Sequence, residues 1–345
     1  MDLAYQPDEN DLVIGTFGRA AYIIDNIAPL RELARNKNFV STKLKLFDIP
    51  DAYMEYNKRP AGSRFASGLE YLGENERPNA MVTFWVQPDT SKKGKNTKIK
   101  LSVFDEEGTN IRNLEPKFKA GFNRTYWYLD AKGVRFPGGK KPQPGSPERG
   151  GSKILPGKYK IVISYGDLKD SAFVNVKFDS RIKLNISDLK ERKLLTEQVV
   201  KLVSATTTAV DNLDEMKKAL DLFVKESKND TTFKDLKKTA KEFLDTIKTM
   251  REEVIQPKEK GIRQDESKIS YKLRRAFWTV QGYHDKPGER EKLVIKEAEK
   301  VVLPFIEKVN TFQKDEWKEF IDKVNDAGFT IFKLPNPVKL EKQQK

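Results

Sequence analysis

The stretch DLVIGTFGRAAYIIDNIAPLREL, residues 11–33, decides how this chain is read. Two apolar runs, Leu12–Ile14 and Ala21–Ile24, are strand-like. The turn Gly15-Thr16-Phe17-Gly18-Arg19 separates them, with glycines that tolerate positive φ or close approach. Only ten residues precede the stretch, and they offer little sheet for it to pair with. The expectation is that these strands end a sheet whose body lies elsewhere, since unpaired edges invite pairing.

Moving outward, residues 34–78 read as a connector. IPDAYMEYNKRPAG carries Pro50 and Pro60 and little steady periodicity, with Tyr53, Met54, Tyr56, Phe65 and Tyr71 as expected anchors on a neighbouring surface. From residue 79 to 180 the period becomes two. AMVTFWVQ (80–87), TKIKLSVFD (97–105), NRTYWYLD (123–130), LPGKYKIVISYGD (155–167) and SAFVNVKFD (171–179) read as strands of a small β-sandwich. The parity of NRTYWYLD places Trp127 and Leu129 inward and Tyr126 and Tyr128 outward. A turn is expected at Glu107-Gly108, and a flexible surface loop over PGGKKPQPGSPERGGS, residues 137–152.

From residue 185 to 334 the period is about 3.6. One face holds Val210, Leu213, Met216, Leu220 and Phe223; a second Phe233, Leu236, Ala240, Phe243, Ile247 and Met250. A third holds Ile269, Leu273, Phe277 and Val280; a fourth Val301, Val302, Phe305, Ile306, Val309 and Phe312. Trp317, Phe320, Ile321 and Val324 make a short last one. Thr232 with Asp235 fits a capping box. An antiparallel bundle of helices covers such stripes most simply, with residues 335–345 as a tail. The expected fold is thus multidomain β + α.

The chain has 345 residues, 37% of them hydrophobic, and 20 Phe, 11 Tyr and 4 Trp suffice for real cores. It has no cysteine, which excludes disulfides, thiol nucleophiles and thiolate metal sites. No run of eighteen apolar residues stands in it, so no membrane span is expected. The opening MDLAYQPDEN lacks the pattern of a secretory signal. The net charge of +14 is mostly lysine dispersed among glutamates, which reads as a basic solvated surface or as nonspecific attraction to nucleic acid or an anionic surface.

The opening stretch resembles the closing segment of bacterial β-propeller proteins of the sortilin-like (VPS10-type) or BNR-repeat glycosyl hydrolase-like kind. The residues that carry the resemblance are Gly15, Thr16, Phe17, Gly18, Arg19, Asp25, Pro29 and Leu30. Asn26 stands where the family often has a second Asp, and Ala20 where it often has Gly. The FDEEG turn, Gly121-Phe122-Asn123-Arg124 through Trp127, and Leu155-Pro156-Gly157-Lys158-Tyr159 resemble the Ig-like domain of flagellar hook-capping proteins. VNDAGFTIFKLP, residues 324–335, resembles the family's C-terminal ending. The resemblance implies that residues 1–33 are a remnant of the last propeller blades, that 79–180 is an Ig-like sandwich and that 185–334 is an accessory bundle. It implies a periplasmic, outer-membrane-associated or extracellular setting. The implied partners are the propeller part of the same protein, or a chain supplying it, and an outer-membrane or export complex.

Chemistry is sparse in this sequence. Ser-x-Asp-x-Gly-x-x-Trp, the repeat signature of the glycosidase label, is absent; SVFDEEGTNI has the wrong Asp-to-Gly spacing and reads as a β-turn. His284 is the one histidine and reads as a helix-end contact. Asp105, Glu106 and Glu107 are either solvated turn acids or oxygen donors for calcium. Gly15–Gly18 matches no phosphate-binding motif. Lys140, Lys141 and Arg149 offer cations to an anion from a mobile loop. No catalytic, cofactor or metal residue is assigned. The expected role is that of a non-catalytic accessory, docking or assembly region. The alternatives are the C-terminal part of a glycoside hydrolase or peptidase whose active site lies in the propeller, and a weak, nonspecific binder of nucleic acid or anionic surfaces.

Overall fold

The structure, a computed structural model, describes residues 2–18, 20–36, 41–54, 78–88, 98–180, 183–257, 264–282 and 286–330. The chain is a multidomain β + α fold with a sheet-rich N-terminal part and a helical C-terminal region. Its contacts define two units: Met1–Val134 with Pro142–Lys190, and Arg135–Lys141 with Glu191–Lys345.

The first unit opens with three antiparallel strands, β1 (Asp2–Gln6), β2 (Asp11–Gly15) and β3 (Ala21–Ile24). Helix α1 (Ala28–Arg35) follows, with Pro29 in its first turn, where a missing N–H costs nothing. Here the structure corrects the expectation of two strands with little to pair against. β1 pairs with β2 along its whole length, Asp2 opposite Gly15 and Gln6 opposite Asp11. DLAYQ hides this role because only Leu3 and Tyr5 are large apolar residues.

The remainder of the unit holds two larger sheets that share one core. A five-stranded sheet has the order β5 (Ala52–Met54), β13 (Leu168–Phe178), β12 (Gly157–Tyr165), β7 (Ile99–Phe104), β8 (Asn110–Leu114). A three-stranded sheet is β4 (Leu44–Leu46), β6 (Ala80–Val86), β9 (Gly121–Trp127). Alternation sets what faces inward. Ile99, Leu101 and Val103 of β7 and Ile161 and Ile163 of β12 are buried against Ala80, Val82, Phe84 and Val86 of β6. Trp127 and Leu129 lie in the same core while Tyr126 and Tyr128 are exposed, as parity predicts.

Two features of the expected layout differ. The connector contributes strands to both sheets: β4 pairs antiparallel with β6, and β5 runs parallel to β13. Phe47, Ile49, Ala52 and Met54 are buried there, whereas Tyr53 points to solvent and anchors nothing. Tyr56, Phe65 and Tyr71 lie outside the described residues. The expected loop over residues 137–152 ends in a strand, β11 (Gly150–Lys153), paired with β10 (Asp130–Lys132). Glycine is required there by close approach. A Cβ on Gly133 would stand 2.3 Å from the Gly150 carbonyl oxygen, and one on Gly151 2.6 Å from the Lys132 carbonyl oxygen.

The second unit holds α2 (Ile186–Glu226), α3 (Lys234–Val254), α4 (Ile269–Gln281), α5 (Glu289–Phe312), a π-turn at Gln313–Trp317, and α6 (Lys318–Asp326). The contact division assigns α2 to this unit from Glu191 onward. The apolar stripes read from sequence are largely buried: Val210, Leu213, Leu220, Ala240, Ile247, Leu273, Val280, Val302, Phe305 and Val309 all have little or no exposure. Ile321 is exposed, so only Phe320 of the last stripe is fully inside. The capping box is also corrected. Phe233 is the N-cap of α3 without a side-chain cap, and Asp230 Oδ1 accepts the Thr232 N–H at 2.9 Å. Glu291 caps instead at α5, its carboxylate accepting the Gly288 N–H at 2.9 Å. Residues 335–345 lie outside the described residues, and among the described ones no helix is long and apolar enough to cross a membrane.

Candidate docking surface

The outer strands of the β1–β3 sheet are largely exposed. Residues opposite one another on paired strands share a face. Tyr5, Leu12 and Ile24 therefore form one cross-strand row, and Leu3, Ile14 and Tyr22 the next. Six large apolar side chains stand together on one side of three short strands. β1 and β3 are the outer strands, and Leu3 is 62% and Tyr22 57% exposed. The opposite face carries Ala4, Val13 and Ile23. A single exposed leucine is ordinary surface; here Leu3, Tyr5, Tyr22 and Ile24 are exposed beside the half-buried Leu12 and Ile14, which makes one apolar patch.

The local sequence holds this sheet in place. Asn26 takes the left-handed conformation at φ 45°, which asparagine tolerates better than most residues. Its N–H donates to Asp11 Oδ1 at 2.9 Å, its side-chain oxygen accepts the Ala28 N–H at 3.2 Å, and its carbonyl accepts from Arg124 Nη2 at 3.1 Å. Arg124 lies on β9, so Asn26 ties the small sheet to the larger β-structure. Arg31 Nη1 donates to the Tyr5 hydroxyl at 2.6 Å and its guanidinium stands 4.7 Å from the Tyr5 ring centroid. The Tyr5 hydroxyl in turn donates to Asn10 Oδ1 at 2.7 Å.

The turn between β2 and β3 is closed by Thr16, whose hydroxyl donates to the Ala20 carbonyl at 2.8 Å. Gly18 adopts φ 85°, and Phe17 projects into solvent at 97% exposure. Asp25 is exposed, Pro29 is buried and Leu30 is exposed. Arg19 lies outside the described residues. Sequence reading singled out the turn and passed over the face. The missing signal was the alternation Leu3, Tyr5, which gains meaning only once β1 is recognised as a strand.

Several of the other residues weighed for chemistry make contacts within the fold. Asp105 Oδ1 accepts the Thr109 N–H at 2.7 Å within the β7–β8 turn, and Glu106 Oε1 accepts the Lys158 N–H at 2.9 Å, which ties that turn to β12. Lys141 pairs with Glu215 at 2.7 Å, and that hydrogen bond holds its pKa above the ordinary lysine value. The Arg149 carbonyl accepts from Arg112 Nη1 at 3.1 Å. Lys140 is exposed, and His284 lies outside the described residues. Among the described residues no group of three or more His, Asp or Glu side chains is placed to hold a metal.

No protein-family model matches the chain. No curated protein matches it either. A solved structure named pT26-6p aligns with 72% of this chain at 12% identity and a TM-score of 0.15. This chain spans 46% of the length of that one, and a likeness of this size carries no argument about fold or role.

Proposed function

We propose that this chain is the non-catalytic docking and assembly region of an exported or cell-surface bacterial propeller protein. The observation that carries the reading is the apolar face of the β1–β3 sheet, whose outer-strand residues Leu3, Tyr5, Tyr22 and Ile24 are exposed in register. A face of that kind is costly to expose and is covered by a partner surface. The resemblance of Gly15–Arg19, Asp25, Pro29 and Leu30 to a propeller's closing segment supplies the occupant: the sheet of a last blade, from the same protein or a chain that provides it. The two-sheet β-structure is then the Ig-like sandwich of that assembly and the helices its accessory bundle.

The coding sequence upstream of the Met1 codon tests this reading cheaply. In-frame repeats with the two-residue alternation of propeller strands are expected, preceded by a secretory or lipoprotein signal. An upstream region without either would contradict it, as would a chain whose Tyr22→Lys and Ile24→Lys variants assemble into the same complexes as the parent.

A further inference from the structure

The outward face of the five-stranded sheet carries a groove of about 480 Å³, within the range of small-ligand sites. Its floor is Phe104, Val162 and Phe173. Lys160 stands directly opposite Phe104 on β7 and Phe173 on β13, so two aromatic rings flank one lysine stem across three neighbouring strands. Phe173 is 55% exposed although it sits in mid-strand.

The groove carries both signs of charge. Asp105 and Glu106 line it from the β7–β8 turn, and Lys158 and Lys160 line it from β12. Each carboxylate is fixed by one main-chain N–H, to Thr109 and Lys158 respectively, and keeps further acceptor capacity. Lys158 Nζ lies 4.6 Å from the Phe173 ring centroid, which brings a donor against the aromatic floor. Among the described residues no ion pair engages Asp105, Glu106, Lys158 or Lys160. Gly108, at φ 78°, completes the rim without a side chain to fill it.

We propose that this groove binds a neutral pyranose chain. The choice follows from the mixed charge of the lining. An anionic ligand meets Asp105 and Glu106, a cationic one meets Lys158 and Lys160, and a wholly apolar one desolvates all four charges without return. A sugar ring avoids each conflict. Its hydroxyls accept from ammonium groups and donate to carboxylates, and its C–H face lies on a phenyl ring. The site is separate from the β1–β3 surface, so its failure would leave the docking reading untouched.

The test titrates the full chain, labelled for amide NMR, with cellohexaose, xylohexaose and N-acetylchitohexaose. A zwitterionic Gly-Phe-Gly tripeptide and single-stranded oligothymidine serve as competitors. At least one hexasaccharide is expected to shift the amides of residues 104–108, 158–162 and 173 saturably. Phe173→Ala and Glu106→Gln should each weaken that binding about tenfold or more, roughly the loss of one well-placed contact. Both positions are exposed, and the spectrum itself reports whether each variant is folded. Lys160→Met provides a third, independent reading of the same site. Absence of saturable shifts with all three sugars overturns the proposal. So does binding that these substitutions leave unchanged, and so does preferential occupation of the same amides by the tripeptide or the oligonucleotide.

Discussion

Trp127 shows most directly how one residue links sequence parity to stability. Its ring is wholly buried, packs edge-on against Tyr159 at 5.3 Å between centroids, and its indole N–H donates to the Asp130 carbonyl at 2.8 Å. Trp127→Ala should lower unfolding free energy by about 3–5 kcal/mol, read from denaturant midpoints, because cavity and transfer costs add. An unchanged midpoint would remove Trp127 from the core. Nearby, Arg112 is buried with Asp130 at 3.3 Å and Glu148 at 3.9 Å. The Glu148 carboxyl sits below its ordinary value. Burial would raise it, but the Asn113 N–H, the Asn113 side chain and Lys132 together outweigh burial. A carboxyl lowered in the folded state contributes stability that is whole above its ordinary value of 4.5 and is lost as pH falls through the folded value. Glu148→Gln should therefore be destabilising near about pH 7, with the difference from the parent shrinking as pH falls below 4.5. A difference that stayed constant across that range would sink the assignment. Trp127 was legible in the sequence because two-residue alternation fixes it locally. The Arg112 cluster was not, because its members come from β8, β10 and the end of a long loop, and only folding brings them together.

At the scale of elements, strong periodicity carried the reading and weak periodicity lost it. The strands β7, β12 and β13 and the stripes of α2 to α5 were legible because each buries one face, so register and pattern agree. β1, β4 and β5 were not. They are three to five residues long; β1 carries only two large apolar residues, and β4 and β5 pair with strands far along the chain. The capping box failed for a related reason: Thr232 sits in a turn organised by Asp230, one residue short of where the helix is capped. The segment Arg135–Lys141 could not have been assigned from composition either. It belongs with the helices, where Arg135 Nη1 donates to Asp211 Oδ1 at 3.1 Å and Phe136 packs edge-on against Phe277 at 5.3 Å. The Arg274 guanidinium lies 5.5 Å from the Phe136 ring. Phe136→Ala should cost about 2 kcal/mol, as a partly buried aromatic anchor does, and should speed proteolytic nicking in the following Gly- and Pro-rich residues. Unaltered nicking kinetics would show that Phe136 holds nothing.

For the whole molecule, charge and the apolar sheet make different claims. Helices α2 to α6 carry nearly as many Asp and Glu as Lys and Arg, so most of the net charge of +14 lies outside them. Lys217 pairs with Asp221, Lys323 with Glu319 and Lys308 with Glu253, and lysines dispersed among glutamates attract phosphates without reading bases. Binding to labelled DNA or RNA should accordingly be weak and steeply salt-dependent. Submicromolar, sequence-dependent affinity at about physiological salt would overturn that. The β1–β3 sheet carries the central claim, that one apolar face of this chain is built to be covered by a propeller blade. Site-specific photo-crosslinking from position 22 or 24, in cells that make the protein at its natural length, tests it most directly. The account predicts crosslinks to peptides with strand alternation from a propeller, in the same protein or in one constant partner, and their loss when the neighbouring apolar positions are changed to lysine. Crosslinks to no fixed segment, or crosslinks that survive those lysines, would contradict it.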